Sequence, residues 1–315
     1  MYANFGEKTK DKRKISMFLT IKEAIYSYKK GCKAKCTMSA GMTIGKAFFA
    51  GMMIGLGAAG SSVAAHNIAN VGIARLIAAV VFPVGLMMVI LMGAELFTGD
   101  CLLAIGLPEK DITVAQFVRT LALVYLGNLI GGVVLSGLVV MSGQLDYSGG
   151  LLGAYTIKVA LGKVGLTPMK ALCSGILCNV LVCAAVIMAV CAKDVTGKLL
   201  VSFFVIMLFV TAGFEHCVAN MYYITAGLMA KANPTYVSVA MDTYGLGADQ
   251  LNMLNLKNMI VNNLIPVTIG NIVGGSCFVG LPFYFFNKNK AEVKVIKEEN
   301  KISELRNDFT PGIAR

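Results

Sequence analysis

Charged side chains are scarce in this sequence of 315 residues. Only 14 % of the residues are Asp, Glu, Lys or Arg, whereas 57 % are hydrophobic, and the mean hydropathy is +0.72. Soluble domains carry roughly 25 % charged residues, so the composition excludes an ordinary soluble globular protein. It predicts a chain that crosses a membrane several times.

Histidine is rarer still, with only His66 and His216 in the chain. A zinc site of the HExxH kind needs two histidines one helical turn apart, and these two are far apart in the sequence. The nine cysteines do not replace them, because most lie within apolar runs, where free Cys behaves as a small hydrophobic residue. We therefore expect no metal site and no cofactor, and a membrane-embedded metalloenzyme is a poor alternative.

Positive charge is concentrated at the two ends of the chain. Residues 1–42 contain ten Lys or Arg against three acidic residues, and residues 287–315 contain seven against five. Basic segments beside membrane spans are typically cytoplasmic and attract anionic membrane lipid, whereas nucleic-acid binding is the poorer explanation. We therefore divide the chain into a basic cytoplasmic arm (1–42), a membrane domain (43–286) and a charged cytoplasmic tail (287–315).

The basic arm contains one amphipathic pattern. Between residues 16 and 35, apolar side chains recur at Phe18, Ile21, Ile25 and Tyr28, which is the spacing of one helix face. The pattern fits a helix at the membrane surface or a helix docked on the rest of the protein.

Six apolar runs predict six membrane passages, which places both basic ends on one side of the membrane. They lie at about residues 43–65, 72–107, 114–140, 172–192, 199–229 and 259–286. The second is too long for one simple span, and it contains Glu95 and Asp100, while the fifth contains Glu215. A break in each of these two helices accounts for the length and the charges, and Gly213 is the expected break in the fifth.

One short motif is repeated in the two halves of the membrane domain. Leu-Gly-Asn-Leu-Ile-Gly-Gly at 126–132 in the third passage is echoed by Ile-Gly-Asn-Ile-Val-Gly-Gly at 269–275 in the sixth. Each copy follows an interrupted passage, and the copies cross the membrane in opposite senses. This pattern is typical of transporters and channels with inverted repeats. The predicted fold is an all-α integral membrane protein with six transmembrane helices in two inverted three-helix repeats, whose second and fifth helices are broken.

The fifth passage carries the strongest functional signal. Glu215 and His216 lie side by side within an apolar run, and an ionisable pair there is costly unless it faces a partner, the bundle interior or water. A helix that restarts after Gly213 would place His216 and Asn220 on one face and turn its N-terminal amides toward an anion. We predict a conduction path here, with a satisfied core histidine as the structural alternative for His216. For Glu215 we favour a structural role, in which it anchors the broken helix or pairs with a lysine, over proton transfer.

Four segments together resemble the signature motifs of the formate/nitrite transporter family. They are GAELFTG at 93–99, GILCNVLVC at 175–183, GFEHCVANM at 213–221 and NNLIPVTIGNIVGG at 262–275. The resemblance extends over about residues 20–286. It implies an aquaporin-like protomer, a homopentamer with one pore per protomer, and passage of a small monovalent anion (formate, nitrite, hydrosulfide or lactate), alone or with a proton.

The resemblance also implies roles for single residues. His216 resembles the central pore histidine of the family, and Thr98 the hydroxyl of the loop that breaks the second span. Glu215, Asn179 and Asn220 match the polar network around the vestibule lysine and the histidine.

Lys163 resembles that vestibule lysine, with Lys158 and Lys170 as rival candidates. The segment after it departs from the His-rich pattern of the family. Gly99–Asp100 also departs from the Ser-Thr pair common in formate channels, which bears on substrate identity.

Phe82, Leu86 and Phe209 match the apolar constrictions of the family, although composition alone would make them core residues. A bare anion in a dry constriction loses hydration worth many kcal/mol, whereas its neutral acid loses far less. His216, between two such constrictions, could give the anion a proton, and bulk water is the other possible source.

A neutral-solute pore of the aquaporin kind is the main alternative. It predicts an arginine at the filter and paired Asn-Pro-Ala motifs, and no such motif occurs in the sequence. We therefore expect passive or proton-linked passage of a weak-acid anion across the inner or plasma membrane, with formate first and nitrite or hydrosulfide next.

Overall fold

The computed structural model describes residues 18–288, and the remaining residues of the predicted arm and tail lie outside that range. The described chain is helical, with one isolated antiparallel bridge between Phe18 and Ala192. In chain order its helices are α1 (Ile21–Cys36), α2 (Ala40–Ala65), α3 (Val71–Met92), α4 (Phe97–Gly106), α5 (Val114–Met141), α6 (Leu151–Val164), α7 (Pro168–Cys191), α8 (Val195–Ala212), α9 (Cys217–Ala230), α10 (Pro234–Tyr244), α11 (Ala248–Met253) and α12 (Leu256–Asn287). A 3-10 turn, Gln144–Asp146, precedes α6.

Six of the described helices are long and apolar enough to cross a membrane, namely α2, α3, α5, α7, α8 and α12. The apolar helices α4 and α9 are shorter, and each follows a span that ends early. The predicted six-span, all-α fold with broken second and fifth passages is confirmed. Helices α6, α10 and α11 were not predicted. The proposed boundaries of the three domains stay predictions.

Both breaks begin at a glycine in the left-handed region of the backbone map. Gly93 ends α3 with a φ of 64°, and Gly213 ends α8 with a φ of 74°. Other L-residues lose about 1–2 kcal/mol in this conformation, whereas glycine adopts it freely. The glycines therefore stop the helices where the sequence predicted.

A buried asparagine binds the backbone of the first break. Asn128 of α5 accepts a hydrogen bond from the Phe97 amide at 2.9 Å. Its Nδ2 donates to the carbonyls of Glu95 at 3.0 Å and Ala47 at 2.7 Å. One side chain thus satisfies two backbone groups that the interrupted helix leaves unpaired, and it ties them to the Ala47 carbonyl of the neighbouring helix α2.

The second break is held in the same way. Asn271 of α12 accepts from the Cys217 amide at 2.9 Å and donates to the carbonyls of Glu215 at 3.1 Å and Gly175 at 2.7 Å. Asn128 and Asn271 are the asparagines of the repeated motif. The matched contacts are those expected of an internal repeat, and the opposite orientation of the two halves stays a prediction.

The glycines of the repeated motif set the helix packing. A β-carbon on Gly131 of α5 would overlap the Phe48 carbonyl of α2, and one on Gly274 of α12 would overlap the Ile176 carbonyl of α7. Small residues allow such close helix contacts within a membrane. The α2–α5 and α7–α12 pairs therefore form the rigid frame around the two short helices.

Helix α1 is docked on the bundle, which is one of the two arrangements the sequence allowed. Of the predicted apolar face, Ile25 is buried and Tyr28 is partly buried, whereas Phe18 and Ile21 are 62 % and 38 % exposed. The buried face continues along Cys32 and Cys36. Burial raises the pKa of the Cys32 thiol to about 12. This cysteine is therefore a protonated packing residue at neutral pH.

An ion-pair cluster fixes α1 to the loop after α4. Lys29 donates to the carboxylate of Glu109 and lies 3.2 Å from Asp111, and the Tyr284 hydroxyl of α12 also donates to Glu109. Burial alone would raise the pKa of Glu109, but the hydrogen bonds from Lys29 and Tyr284 outweigh it and leave this pKa below its ordinary value.

The last span is not a regular α-helix. Its segments Met259–Leu264 and Val273–Gly280 form π turns on either side of Ile265–Ile272. Pro266 has no amide hydrogen to donate to the preceding turn, and the wider turn before it accommodates that loss. The first π turn contains the buried Asn263, and π turns are frequent at functional sites.

Candidate pore and substrate site

The two short helices bring the predicted central residues together. His216 caps the N-terminus of α9, where its Nδ1 accepts a hydrogen bond from the Ala219 amide at 3.1 Å. Its Nε2 lies 2.9 Å from the hydroxyl of Thr98 in the first turn of α4. Both side chains are buried. The N-terminal ends of two helices, which carry partial positive charge, thus face each other at this contact.

These hydrogen bonds assign the tautomer of the His216 ring. Because Nδ1 accepts from an amide, it carries no hydrogen, and the hydrogen of the neutral ring lies on Nε2 and points to Thr98. A second proton on Nδ1 would face the Ala219 amide and break the helix cap. In this arrangement the ring is neutral and offers an N–H group.

A cavity of about 150 Å³ ends at this ring. Phe82, Phe209, Lys163 and His216 are among the residues that line it. The Phe82 and Phe209 rings are 5.6 Å apart and almost perpendicular, and Phe209 lies 6.0 Å from the imidazole. Two of the predicted constriction residues therefore adjoin the histidine on one side of the cavity.

Glu215 is the centre of a polar network beside the cavity. Its carboxylate accepts from Lys163 Nζ at 2.9 Å and from the amides of Asn220 and Asn263 at 2.6 and 3.2 Å. Asn263 also donates to the Lys163 carbonyl at 3.0 Å. A buried carboxylate requires such donors, and the three side chains supply them. Asn263 was not a predicted site residue, although it lies in the motif at 262–275 and is a polar side chain within an apolar run.

Of the three candidate lysines, Lys163 is the one that lines the cavity. Lys158 lies over the ring of Tyr244, 4.2 Å from its centroid, and Lys170 is exposed. Lys163 itself lies over the ring of Tyr223, at 5.3 Å. We refer to the end of the cavity at Lys163 as the Lys163 mouth.

Asn179 and Leu86 lie away from this mouth. The Asn179 amide donates to the carbonyls of Thr98 at 3.1 Å and Asn271 at 2.6 Å, so it supports the broken second passage and makes no hydrogen bond with Lys163. Leu86 is buried on α3 and is not among the residues that line the cavity.

Two hydroxyl groups at the cavity wall were not predicted from the sequence. Ser61 and Tyr223 lie 3.0 Å apart and both line the cavity. Neither residue belongs to a motif, and each comes from an apolar run in which a single hydroxyl is ordinary. Only the folded arrangement reveals that they face the same space.

Known proteins match this chain in sequence and in fold. The sequence profile of the formate/nitrite transporter family matches residues 22–285. The chain belongs to this family. The formate channel FocA of Haemophilus influenzae is 37 % identical over 212 residues, which cover 67 % of this chain and 73 % of that protein. A probable formate transporter of Methanothermobacter thermautotrophicus is 33 % identical over 278 residues, which cover 81 % and 94 %.

A solved member of the family has the same fold. A pentameric formate channel with formate bound superposes with a TM-score of 0.72 at 34 % identity, covering 78 % of this chain and 97 % of that one. The protein is therefore a multi-pass membrane channel or transporter and not an enzyme, which excludes the metalloenzyme alternative. Within residues 18–288, no group of three or more His, Cys, Asp or Glu side chains could hold a metal ion.

Proposed function

We propose that each protomer forms a pore for a small monovalent weak-acid anion, with formate as the first candidate and nitrite and hydrosulfide next. The contact between His216 and Thr98, at the end of a cavity with apolar rings and one lysine, carries the proposal. The relatives named as formate channels or transporters favour formate.

The apolar rings are proposed to select the neutral acid over the bare anion. Phe82 and Phe209 offer no hydrogen bond to a passing solute, so an anion there would lose hydration worth several kcal/mol or more without replacement. The neutral acid loses much less. A proton therefore accompanies the anion through the constriction, and uptake is expected to depend on pH.

Water in the cavity is the proposed source of this proton. The neutral His216 ring could donate only its Nε2 hydrogen, which would leave an imidazolate, and charging the ring first would break the cap on Ala219. The Nε2–H and the Thr98 hydroxyl, which are hydrogen-bonded to each other at 2.9 Å, are instead proposed to exchange that contact for hydrogen bonds to the two oxygens of a carboxylic acid.

Lys163 is proposed to gather anions at the Lys163 mouth. Its charge is balanced by Glu215 at 2.9 Å, so the buried pair costs less than a lone ammonium. The ammonium still lies on the cavity side and attracts anions from solution.

The proposed assembly is a homopentamer in the inner or plasma membrane with one pore per protomer, as in the pentameric solved relative. Both termini are proposed to be cytoplasmic, which places the Lys163 mouth outside. Large apolar side chains such as Phe49, Leu126 and Phe204 point outward, where lipid or a neighbouring protomer would cover them.

A proteoliposome uptake panel tests the function. Purified protein is presented with formate, nitrite, hydrosulfide, lactate and glycerol at two external pH values. We expect formate to enter fastest, with faster uptake at the lower pH, and glycerol not to enter. Glycerol uptake without anion uptake would favour the neutral-solute alternative and reject the proposal.

A further inference from the structure

A second buried ion cluster lies at the end of α1. Lys35 Nζ is 2.7 Å from a Glu95 carboxylate oxygen and 2.6 Å from an oxygen of Asp100. The side chains of Glu95 and Asp100 are only 5 % and 1 % exposed. Because both carboxylates contact one nitrogen, the contacting oxygens are within about 5 Å of each other.

The acidic residues of this cluster occupy the positions of the Glu215 network in the other half of the chain. The carbonyl of Glu95 is bound by the asparagine of the first repeat, and that of Glu215 by the asparagine of the second. Asp100 follows Glu95 by five residues, as Asn220 follows Glu215. Glu95 and Asp100 are therefore the counterparts of Glu215 and Asn220.

The lysines correspond in the same way. Lys35 is the residue before the last one of α1, and Lys163 is the residue before the last one of α6. Each of these helices directly precedes the first span of its half. The two clusters thus occupy equivalent places in the two halves, and by this correspondence we refer to the place of Lys35, Glu95 and Asp100 as the Lys35 mouth.

The two mouths differ in how many donors serve their carboxylates. Glu215 alone has three side-chain donors. Lys35 donates to Asp100 Oδ1 and lies 2.7 Å from Glu95 Oε2, and Lys46 lies 3.9 Å from the other Glu95 oxygen with its side chain 40 % exposed. Glu95 Oε2 and Asp100 Oδ2 are buried and have no hydrogen-bond partner in the described part of the chain. Compared with Asn220 at the Lys163 mouth, Asp100 therefore has one more hydrogen-bond acceptor and lacks the amide donor.

Apart from Lys46, the other titratable groups around the carboxylates within residues 18–288 bring no further positive charge. They are one phenol and several thiols, namely Tyr28, Cys32, Cys36, Cys101 and Cys183. The Tyr28 hydroxyl already donates to the Gly99 carbonyl, at 3.1 Å. Lys35, whose side chain is 33 % exposed, connects the buried pair to water.

We propose that Glu95 and Asp100 share a single proton beside Lys35 and form a proton-binding site at the Lys35 mouth. Two neighbouring carboxylates shielded from water resist being ionised together, and an O–H from one acid to the other supplies the missing donor. When the pH rises, the O–H bond breaks, the proton goes to water at this mouth, and the added negative charge repels an incoming anion. Anion passage, which here rests on the proposed function, then depends on the pH at this mouth, separately from the His216 ring.

Asp100→Asn is the direct test, because it gives the Lys35 mouth the same Lys, Glu and Asn set as the Lys163 mouth. Infrared difference spectra of the full protein in lipid should show a protonated-carboxyl C=O band that disappears as the pH is raised, and Asp100→Asn should lack it. Absence of that band from the wild type at neutral pH and below, or an unchanged band in a folded Asp100→Asn, would overturn the site. This readout needs no transport, so it stands even if formate is not the substrate.

Formate flux in oriented proteoliposomes tests the consequence. With the pH varied only on the Lys35 side, wild-type flux should fall several-fold as the pH rises, and Asp100→Asn should lose much of that dependence although the bulk solution chemistry is identical. The matched variant Asn220→Asp places a second acid at the other mouth and should add pH dependence there. Identical pH profiles for wild type and Asp100→Asn would refute control by this site, whereas absence of flux from every protein would reject the proposed function instead.

Discussion

Replacing Asn128 or Asn271 by leucine tests how the broken helices are held. Each side chain is fully buried and serves one backbone amide and two carbonyls. Hydrogen bonds in membrane proteins average about 0.6 kcal/mol, whereas an orphaned buried group costs about 1–3 kcal/mol. Two of these three groups, the amide and the carbonyl at the break, have no other partner among the described residues, so we expect a loss of about 2–6 kcal/mol for each variant. The two losses should be similar, because the two sets of bonds are the same.

The assay is the thermal midpoint of the purified protein in detergent, read by size-exclusion chromatography at one heating rate, since such proteins often unfold irreversibly. Asn287→Ala is the matched control, because within the described residues its side-chain amide donates only to the Phe283 carbonyl of its own helix. We expect a clear drop for Asn128→Leu and Asn271→Leu and none for the control. If all three variants melt with the wild type, the asparagines do not hold the breaks.

Three further predictions concern the lysine, the N-terminal helix and the assembly. Lys163→Ala should slow anion uptake several-fold, and most at low salt, where screening is weakest; an equal loss in Lys158→Ala or Lys170→Ala would show that another lysine gathers the anion. The pKa of Glu109 is lowered from 4.5 on folding, so its stabilisation of α1 is present above that pH and is lost as the pH falls through the lowered value. The rate of hydrogen exchange in α1, corrected for its intrinsic pH dependence, should therefore rise in acid, and Glu109→Gln should raise this rate at neutral pH. An unchanged rate in either experiment would show that the ion pair with Glu109 does not fix α1. The mass in detergent should be near that of five protomers, and a transporting monomer would reject the pentamer.

The spans and both breaks were predictable because their signals are local. A bilayer excludes charge and unpaired backbone, so apolar length marks the spans, and acidic residues with Gly93 and Gly213 mark the interruptions. The repeated asparagine motif was visible too. Its role in binding the breaks was not, because Asn128 and Asn271 bind backbone groups that are far away in the sequence.

Helices α1 and α6 show where hydropathy fails as a guide. The apolar pattern put Phe18 and Ile21 on one face with Ile25 and Tyr28. The latter two pack against the bundle together with Cys32 and Cys36, but Phe18 and Ile21 are exposed. Helix α6 is too short to span and received no prediction. It is nevertheless buried along one face and delivers Lys163 to the cavity.

The identity of the main site residues was predictable from the sequence, but the hydrogen bonds between them were not. The resemblance indicated His216 and Thr98, which are 118 positions apart, but not the hydrogen bonds that fix the neutral tautomer. Glu95 lies in the motif at 93–99 and Asp100 follows it directly, but no motif includes Lys35, which comes from a helix outside the spans. Only tertiary packing brings Lys35 to Glu95 and Asp100.

Formate uptake by wild type and His216→Asn in the same liposomes tests the central claim most directly. Asparagine is a strong N-cap residue, so the variant should fold and assemble, but it is too short to bond with the Thr98 hydroxyl as the ring does. We predict uptake several-fold slower, with altered preference among formate, nitrite and hydrosulfide, and complete block in His216→Phe. An assembled His216→Asn protein with wild-type rate and selectivity would contradict the account and leave the histidine a helix cap.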